Sequence, residues 1–310
     1  MTDLRIVFAG SPAAAVPSLA ALAASRHEIV TVLTREDSPQ GRRRVMTATP
    51  VAETAVGLGL PVLRTNLLRE EATRRITALA PDLGVIVAYG ALVREPLLST
   101  PRLGWINLHF SLLPRWRGAA PVQRALMAGD ESTGAAVFSL VPDLDAGDVF
   151  DTFSRPIGPD ETAGDLLGAL ADDGAGLLVE VVDRLADGTA HAVPQSGEVT
   201  LAPKLTLADG RIDWSGSARQ VYDRIRGVTP EPGAFTTVDG SRLKVLEARL
   251  PASDAPPLPS GSIEARGRQV LIGTASGPIE LAVVQLEGRR AMAAADWWRG
   301  RSDGTTAVAE

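Results

Sequence analysis

Three polar side chains of types suited to acyl transfer lie at two places near the middle of the sequence. Asn107 and His109 belong to the alternating apolar and polar segment 104–109, which is followed at once by turn residues. We therefore expect both side chains on one face near the end of a strand. Asp145 lies in the stretch 144–148, which reads Leu-Asp-Ala-Gly-Asp. Because open α/β sheets bind ligands beyond the carboxyl ends of their strands, this position predicts a functional site.

Each of these side chains has a separate task in moving an acyl group onto an amine. The amide of Asn107 can donate a hydrogen bond to an oxygen that becomes negative in a tetrahedral intermediate. His109 can move a proton, since an unperturbed imidazole has a pKa of about 6.5, and Asp145 can orient the imidazole and stabilise its charged form. Asp148 is the rival carboxylate, and we assign it to turn hydrogen bonding. The sequence has no cysteine, which excludes a thioester route and favours direct attack by a substrate amine.

The sequence around these residues resembles the methionyl-tRNA formyltransferases, a family of folate-dependent enzymes. The similarity lies in 107–121, Asn-Leu-His-Phe-Ser-Leu-Leu-Pro followed by Arg-Trp-Arg-Gly-Ala-Ala-Pro, and in 144–148. The resemblance implies that Asn107, His109 and Asp145 are catalytic. It implies a folate-binding loop formed by Ser111, Leu112, Leu113 and Pro114. It also implies 10-formyltetrahydrofolate as the formyl donor, the amino group of methionyl initiator tRNA as the acceptor, and a role in translation initiation.

Alternative interpretations remain open at this point. Taken singly, an Asn-x-His pair at a strand end and a Leu-Asp-x-Gly-Asp stretch are more often turn chemistry than a catalytic site. Sister folate formyltransferases that act on glycinamide ribonucleotide or on nucleotide sugars share the triad, so formyl transfer to a small-molecule amine is the alternative activity. An RNA-binding protein without catalysis on the same fold is a further alternative, which the complete triad disfavours.

A basic loop at 38–45 supplies the first candidate contacts to tRNA. It places Arg42, Arg43 and Arg44 in succession after turn residues. A guanidinium can bind a phosphate through two hydrogen bonds, although a solvated run of charges is the ordinary alternative. The resemblance favours tRNA, because the family has a basic loop here that reaches the acceptor stem and Arg42 matches its Gly-Arg element. The family loop usually mixes lysine and glycine, so no individual roles follow for Arg43 and Arg44.

Four further residues have both a functional and an ordinary interpretation. Tyr89 follows a buried strand and resembles the family segment that helps line the pterin pocket, or it packs in the core. Lys204, one of two lysines in the chain, contacts a tRNA phosphate or is a solvated linker charge. Arg115 and Arg117, on either side of Trp116, bind the folate tail or a phosphate, or form an exposed cation–aromatic cluster.

Composition and charge bound the function classes. The chain has 310 residues, of which 45% are hydrophobic and 22% charged, which favours two globular domains. No apolar run reaches the ~18 residues of a membrane span and Met1 leads directly into a strand pattern, so we expect a cytoplasmic protein. The net charge of −6 is unfavourable for a nucleic-acid partner, but residues 204–310 hold 14 Lys and Arg against 13 Asp and Glu. The C-terminal part is therefore the relatively basic one.

The remaining histidines predict no metal site. His27 and His191 lie in loop-like contexts without a neighbouring acid–base set, so we expect both to be solvated. With no cysteine and three histidines in the chain, no zinc constellation is visible, and no metal is implied.

The order of predicted elements indicates the fold class. Strands and helices alternate through the first half, which predicts a mainly parallel sheet. The first turn has one glycine where a dinucleotide-binding fingerprint has three, so we reject an NAD-binding interpretation. From residue 208 short strands recur with glycine turns, which suggests a small barrel, and the family carries an OB-type barrel there. We predict an α/β protein with a Rossmann-like formyltransferase domain (1–190), a linker (191–207) and an OB-like tRNA-binding β-barrel (208–310). We expect a monomer.

Overall fold

The computed structural model describes residues 3–41, 44–251, 256–301 and 307–310. It contains two compact units. The first comprises 1–119, 133–155 and 167–202, and the second comprises 120–132, 156–166 and 203–310. The second unit therefore includes two short segments that precede residue 167. The functional division at residues 190 and 208 stays a prediction.

The first unit is built on a seven-stranded sheet. The strands up to residue 202 are β1 (Arg5–Gly10), β2 (Glu28–Thr34), β3 (Ser38–Gln40), β4 (Val45–Thr47), β5 (Val62–Arg64), β6 (Leu83–Val87), β7 (Trp105–His109), β8 (Arg117–Gly118), β9 (Ser132–Ser139), β10 (Val149–Pro156) and β11 (Leu201–Ala202). The sheet order is β10-β9-β7-β6-β1-β2-β5. The pairs β1–β2, β1–β6, β2–β5 and β6–β7 are parallel, whereas β7–β9 is antiparallel. The predicted mainly parallel sheet is confirmed.

Local sequence explains where one of the helices begins. The helices are α1 (Val16–Ala23), α2 (Pro50–Gly57), α3 (Glu70–Ala78), α4 (Pro121–Ala128), α5 (Ala163–Ala186), α6 (Ala218–Gly227) and α7 (Ala294–Arg299), with 3₁₀ turns at Ala13–Ala15 and Leu207–Gly210. Helix α2 begins at a proline, and the Thr49 side chain caps it by accepting a 3.0 Å hydrogen bond from Ala52 N. None of the described helices is both long and apolar enough to cross a bilayer.

A glycine in β6 lets the next strand approach closely. A Cβ atom at Gly84 would overlap the indole of Trp105, which is 2% exposed. Strand β7, which carries the candidate site, therefore depends on glycine at this position.

We expect Gly84→Ala to lower the free energy of unfolding by about 1–3 kcal/mol, because it overpacks a filled core. Gly168→Ala is the matched control, since its Cβ would meet no atom within 4 Å in the exposed middle of α5. Alanine there is expected to raise stability by about 0.5–1 kcal/mol. Urea unfolding of both variants measures the difference, and equal effects would contradict this packing.

The second unit contains an antiparallel barrel. Its strands are β12 (Ala234–Val238), β13 (Ser241–Arg249), β14 (Ser262–Arg266), β15 (Gln269–Gly273), β16 (Pro278–Leu286), β17 (Met292–Ala293) and β18 (Ala307–Val308). They follow the order β12-β13-β16-β15-β14-β18, with β17 beside β16. Reciprocal backbone hydrogen bonds between Thr237 and Glu310, 3.1 and 2.9 Å long, join the two ends of this sheet. The predicted C-terminal barrel is confirmed, and Trp297 packs in its core.

One expectation about the histidines was wrong. His191 is exposed, but the His27 ring is fully buried. Its Nδ1 accepts a 3.1 Å hydrogen bond from Leu4 N, and its Nε2 lies 3.2 Å from Asp183 Oδ1. Leu4 lies just before β1 and Asp183 lies in α5, so both partners are distant in sequence. Local sequence therefore gave no sign that the ring would be enclosed.

Candidate active site

Strand β7 presents the two residues of the Asn-x-His pair. Ile86 of β6 pairs with Asn107 on one side, and Phe138 of β9 pairs with Asn107 on the other. His109 is the last residue of β7 and pairs with Ala136. Successive residues of a strand point to opposite faces, so Asn107 and His109 share a face about 6.6 Å apart along the strand. The predicted placement at a strand end is confirmed.

The Asn107 side chain is available to a ligand. It is half-buried, and within the described part of the chain its amide makes no hydrogen bond. Polar groups at buried positions are usually satisfied internally, so an accessible amide held on a rigid strand is suited to bind an oxygen atom that belongs to a substrate.

The contacts of His109 fix its tautomer. The ring is 6% exposed and packs edge-on against Phe138. Its Nε2 lies 2.9 Å from the carbonyl oxygen of Trp116, which can only accept, so Nε2 carries the hydrogen. In the neutral ring Nδ1 then holds the lone pair, and it lies 3.9 Å from Oδ2 of Asp145.

Burial dominates the protonation of this ring. It lowers the pKa of His109 below the usual value, while the Asp145 carboxylate and the Trp116 carbonyl raise the pKa by less. His109 is therefore neutral at pH 7, with a carboxylate placed to stabilise the imidazolium when a proton arrives at Nδ1.

This depressed pKa predicts a pH-dependent stability. Above about pH 6.5 the ring is neutral in both native and unfolded chains; below it the unfolded chain takes up a proton that the native protein resists. Stability from this group is thus full above pH 6.5 and falls as pH drops towards the native pKa. The loss of unfolding free energy between pH 7.5 and 5.5 should be smaller in His109→Gln, measured by urea unfolding. The same loss of unfolding free energy in wild type and His109→Gln would contradict a depressed pKa of His109.

Asp145 reaches His109 from the loop between β9 and β10. Its backbone is in the left-handed region, with φ 46°, and its Oδ2 accepts a 2.8 Å hydrogen bond from Gly118 N. Asp148 is exposed, and its backbone carbonyl accepts from Ser139 N at 2.9 Å. Of the two carboxylates, Asp145 is therefore the one beside the histidine.

The predicted folate loop follows β7 directly. Ser111 is fully buried, and its hydroxyl donates to the carbonyl of Arg115 at 2.7 Å, which fixes the turn. Leu112 and Leu113 are half-buried, whereas Pro114 is buried. Roles of these residues towards folate stay predictions.

Tyr89 lies in the core of the first unit. It is 1% exposed, and its hydroxyl donates to the carbonyl of Thr65 at 2.9 Å. Burial raises the pKa of this hydroxyl to about 12, so it remains a neutral donor. The observed environment is that of a packing residue, and its contribution to a pterin pocket stays a prediction.

The predicted tRNA contacts fall in two places. Strands β3 and β4 form a hairpin where the sequence had predicted only a loop. Arg42 and Arg43 lie outside the described residues, and Arg44 is exposed in the turn with φ 50°. Lys204, in the second unit, is exposed and forms no ion pair with the described residues.

Two residues of the predicted linker, Gln195 and Thr200, make contacts that local sequence did not indicate. The Gln195 Nε2 donates to the carbonyls of Asp145 and Gly147, each at 2.8 Å, and its Oε1 accepts from Arg117. Thr200 accepts hydrogen bonds from the backbone nitrogens of Trp116 and Arg117, both at 2.9 Å. A proline before Gln195 was the only local feature, and it gave no sign of these contacts.

Comparisons with known proteins give the relationships of both parts of the chain. The formyl transferase family model matches residues 4–182, and the model of the formyl transferase C-terminal domain matches 204–302. The methionyl-tRNA formyltransferase of Leifsonia xyli subsp. xyli is 61% identical over 297 residues, which cover 96% of this chain and 97% of the relative. The enzyme of the same name from Arthrobacter sp. is 53% identical, with coverages of 96% and 97%.

Solved structures with the same fold are more distant in sequence. An N-formyltransferase from Helicobacter canadensis, in complex with folinic acid and dTDP-3-aminofucose, has a TM-score of 0.69 and 16% identity, covering 90% of this chain and 98% of that one. HypX from Aquifex aeolicus in complex with tetrahydrofolic acid has a TM-score of 0.66 and 16% identity, with coverages of 96% and 47%. These likenesses describe the fold.

Proposed function

The chain belongs to the formyl transferase family, and on that premise we propose that it transfers a formyl group from 10-formyltetrahydrofolate to the free amino group of methionyl initiator tRNA, for translation initiation. The assignment of methionyl-tRNA as the acceptor rests on one observation. A relative named methionyl-tRNA formyltransferase is 61% identical to this chain over 97% of the relative's length. Both domains contribute to that match, including the barrel.

The geometry around β7 supports the reaction type. The Asn107 amide donates to the formyl oxygen as that oxygen becomes negative during attack by the amine. His109 accepts the proton of the attacking amine at Nδ1, the nitrogen that holds the lone pair, and Asp145 stabilises the resulting imidazolium from 3.9 Å. His109 then returns the proton to the departing folate nitrogen as the carbon–nitrogen bond to the donor breaks.

Substrate binding is assigned to two groups of residues. The folate donor is assigned to the turn after β7, that is, to Ser111, Leu112, Leu113 and Pro114, and to Tyr89. The tRNA phosphates are bound by Arg42, Arg43, Arg44 and Lys204. The exposure of Arg44 and Lys204 supports this assignment, because phosphate contacts need accessible cations.

The proposal extends to the domains, the assembly state and the location of the protein. The formyltransferase chemistry resides in 1–190, 191–207 connects the domains, and the barrel of 208–310 binds tRNA. The enzyme acts as a monomer in the cytoplasm, where aminoacylated initiator tRNA is used.

The acceptor can be tested by comparing two candidate substrates. Purified protein with 10-formyltetrahydrofolate is given methionyl-tRNA or dTDP-3-aminofucose at equal concentration, with and without ribonuclease. Formylation of the tRNA and its loss after ribonuclease treatment are the expected results. Formylation of the amino sugar that survives ribonuclease would instead support the small-molecule alternative.

A further inference from the structure

Gln195 uses all of its hydrogen-bonding capacity on two segments of the candidate site. Its Nε2 donates to the carbonyls of Asp145 and Gly147, both at 2.8 Å. Its Oε1 accepts from Arg117 twice, from Nε at 3.1 Å and from Nη2 at 2.6 Å. Two donors and two acceptor positions are all that a glutamine has, so none remains for a substrate. The side chain is suited to hold other groups in place.

The segment that Gln195 holds needs restraint. Asp145 has φ 46°, in the left-handed region that a side chain with a Cβ atom disfavours and that aspartate tolerates when local contacts hold it. On one side the loop lies tightly on β9, since a Cβ at Gly147 would overlap the carbonyl of Ser139. Val141 and Leu144 are exposed, so they do not anchor the loop in the core. Gln195 supplies hydrogen bonds on both sides of Ala146 and fixes the backbone there.

The same side chain also contacts the residue next to the other partner of the carboxylate. Gly118 N donates to Asp145 Oδ2 at 2.8 Å, and the residue before it, Arg117, is the one bound by the Gln195 oxygen. Gln195 thus joins the backbone that carries the carboxylate to the segment that binds it. Without this link the loop backbone on both sides of Ala146 loses two hydrogen bonds, and the restraint on the distance from the carboxylate to His109 Nδ1, 3.9 Å, is weaker.

We propose that Gln195 is a positioning residue for formyl transfer, acting through the placement of Asp145 beside His109. The inference rests on the proposed function, because it concerns the rate of that reaction. Gln195 lies in the predicted linker, so this linker segment is a part of the catalytic machinery as well as a connection.

Two substitutions test this role. Gln195→Met keeps the length of the side chain and removes all four hydrogen bonds. Gln195→Glu keeps the acceptors for Arg117 but replaces the donors with an oxygen facing two carbonyls. Each is expected to lower kcat for formyl transfer by about 10- to 100-fold with KM for methionyl-tRNA within about twofold. Asn66→Leu is the control, because that exposed amide donates to Glu36 Oε2 in the first unit, outside the candidate site, and its loss should leave kcat unchanged.

A double-mutant cycle distinguishes positioning from general destabilisation. In an Asp145→Asn background, Gln195→Met should change the single-turnover rate by less than about twofold, because the carboxylate it positions is gone. A purely structural role would lower the Tm and reduce the rate by the same factor in both backgrounds, which would overturn the proposal.

The wild-type reaction, run in parallel, separates two kinds of failure. No formyl transfer by wild type would overturn the proposed function and this inference with it. Transfer by wild type together with an unchanged kcat in Gln195→Met would overturn the inference alone. If Gln195→Met does not fold, a folded Gln195→Glu with unchanged kcat would overturn the inference equally.

Discussion

Asn107→Ala is expected to lower kcat for formyl transfer by about 100- to 1000-fold, with KM for methionyl-tRNA nearly unchanged. The amide is accessible, and within the described residues it has no partner of its own, so its donor is free for the oxygen that becomes negative. This interaction strengthens as charge develops, which is why its loss acts on the rate rather than on binding.

The control for this variant is Asn66→Ala. The Asn66 amide donates to Glu36 Oε2 at 2.9 Å and is therefore already engaged within the first unit. Its removal should change kcat by less than about twofold. A rise in KM for Asn107→Ala with kcat preserved would assign Asn107 to ground-state binding instead.

His109→Gln is expected to lower kcat by about 100- to 10,000-fold, the range of general acid–base catalysis. Glutamine keeps a donor for the Trp116 carbonyl that the His109 ring now contacts, but it has no basic nitrogen to face Asp145. Steady-state formyl transfer measures the loss, and His191→Gln, at an exposed position, is the matched control.

The pH profile gives an independent check on His109. Burial lowers the pKa of His109, so the ring stays in its neutral, proton-accepting form below pH 6.5. In the wild type, kcat/KM should therefore begin to decrease on acidification only below pH 6.5. This decrease should be absent from the residual activity of His109→Gln. A decrease that begins above pH 7, or the same decrease in the variant, would contradict the proton role of His109.

Much of the fold follows from local pattern. The apolar and polar alternation of 104–109 predicted β7 and put Asn107 and His109 on one face, and the short strands after residue 208 predicted the barrel. Such periodicities depend on neighbouring residues alone, so they are legible in a single sequence. The antiparallel β7–β9 pair is a tertiary feature that this local pattern did not specify.

The parts that were missed depend on contacts between distant residues. Gln195 lies 50 positions from Asp145, and no periodicity connects them. His27 was expected to be solvated, yet its ring is buried and contacts Asp183, which lies 156 positions away in the sequence. The resemblance to a family supplied the pairing of His109 with Asp145. The left-handed backbone conformation that orients the Asp145 carboxylate could not be deduced from the residue type.

The most direct measurement is transfer of a labelled formyl group from 10-formyltetrahydrofolate to purified methionyl initiator tRNA, with uncharged initiator tRNA and methionyl elongator tRNA as controls. We predict label on the charged initiator alone, attached to the methionine amino group. Label on none of the three, with the folate still bound by the protein, would contradict tRNA as the acceptor.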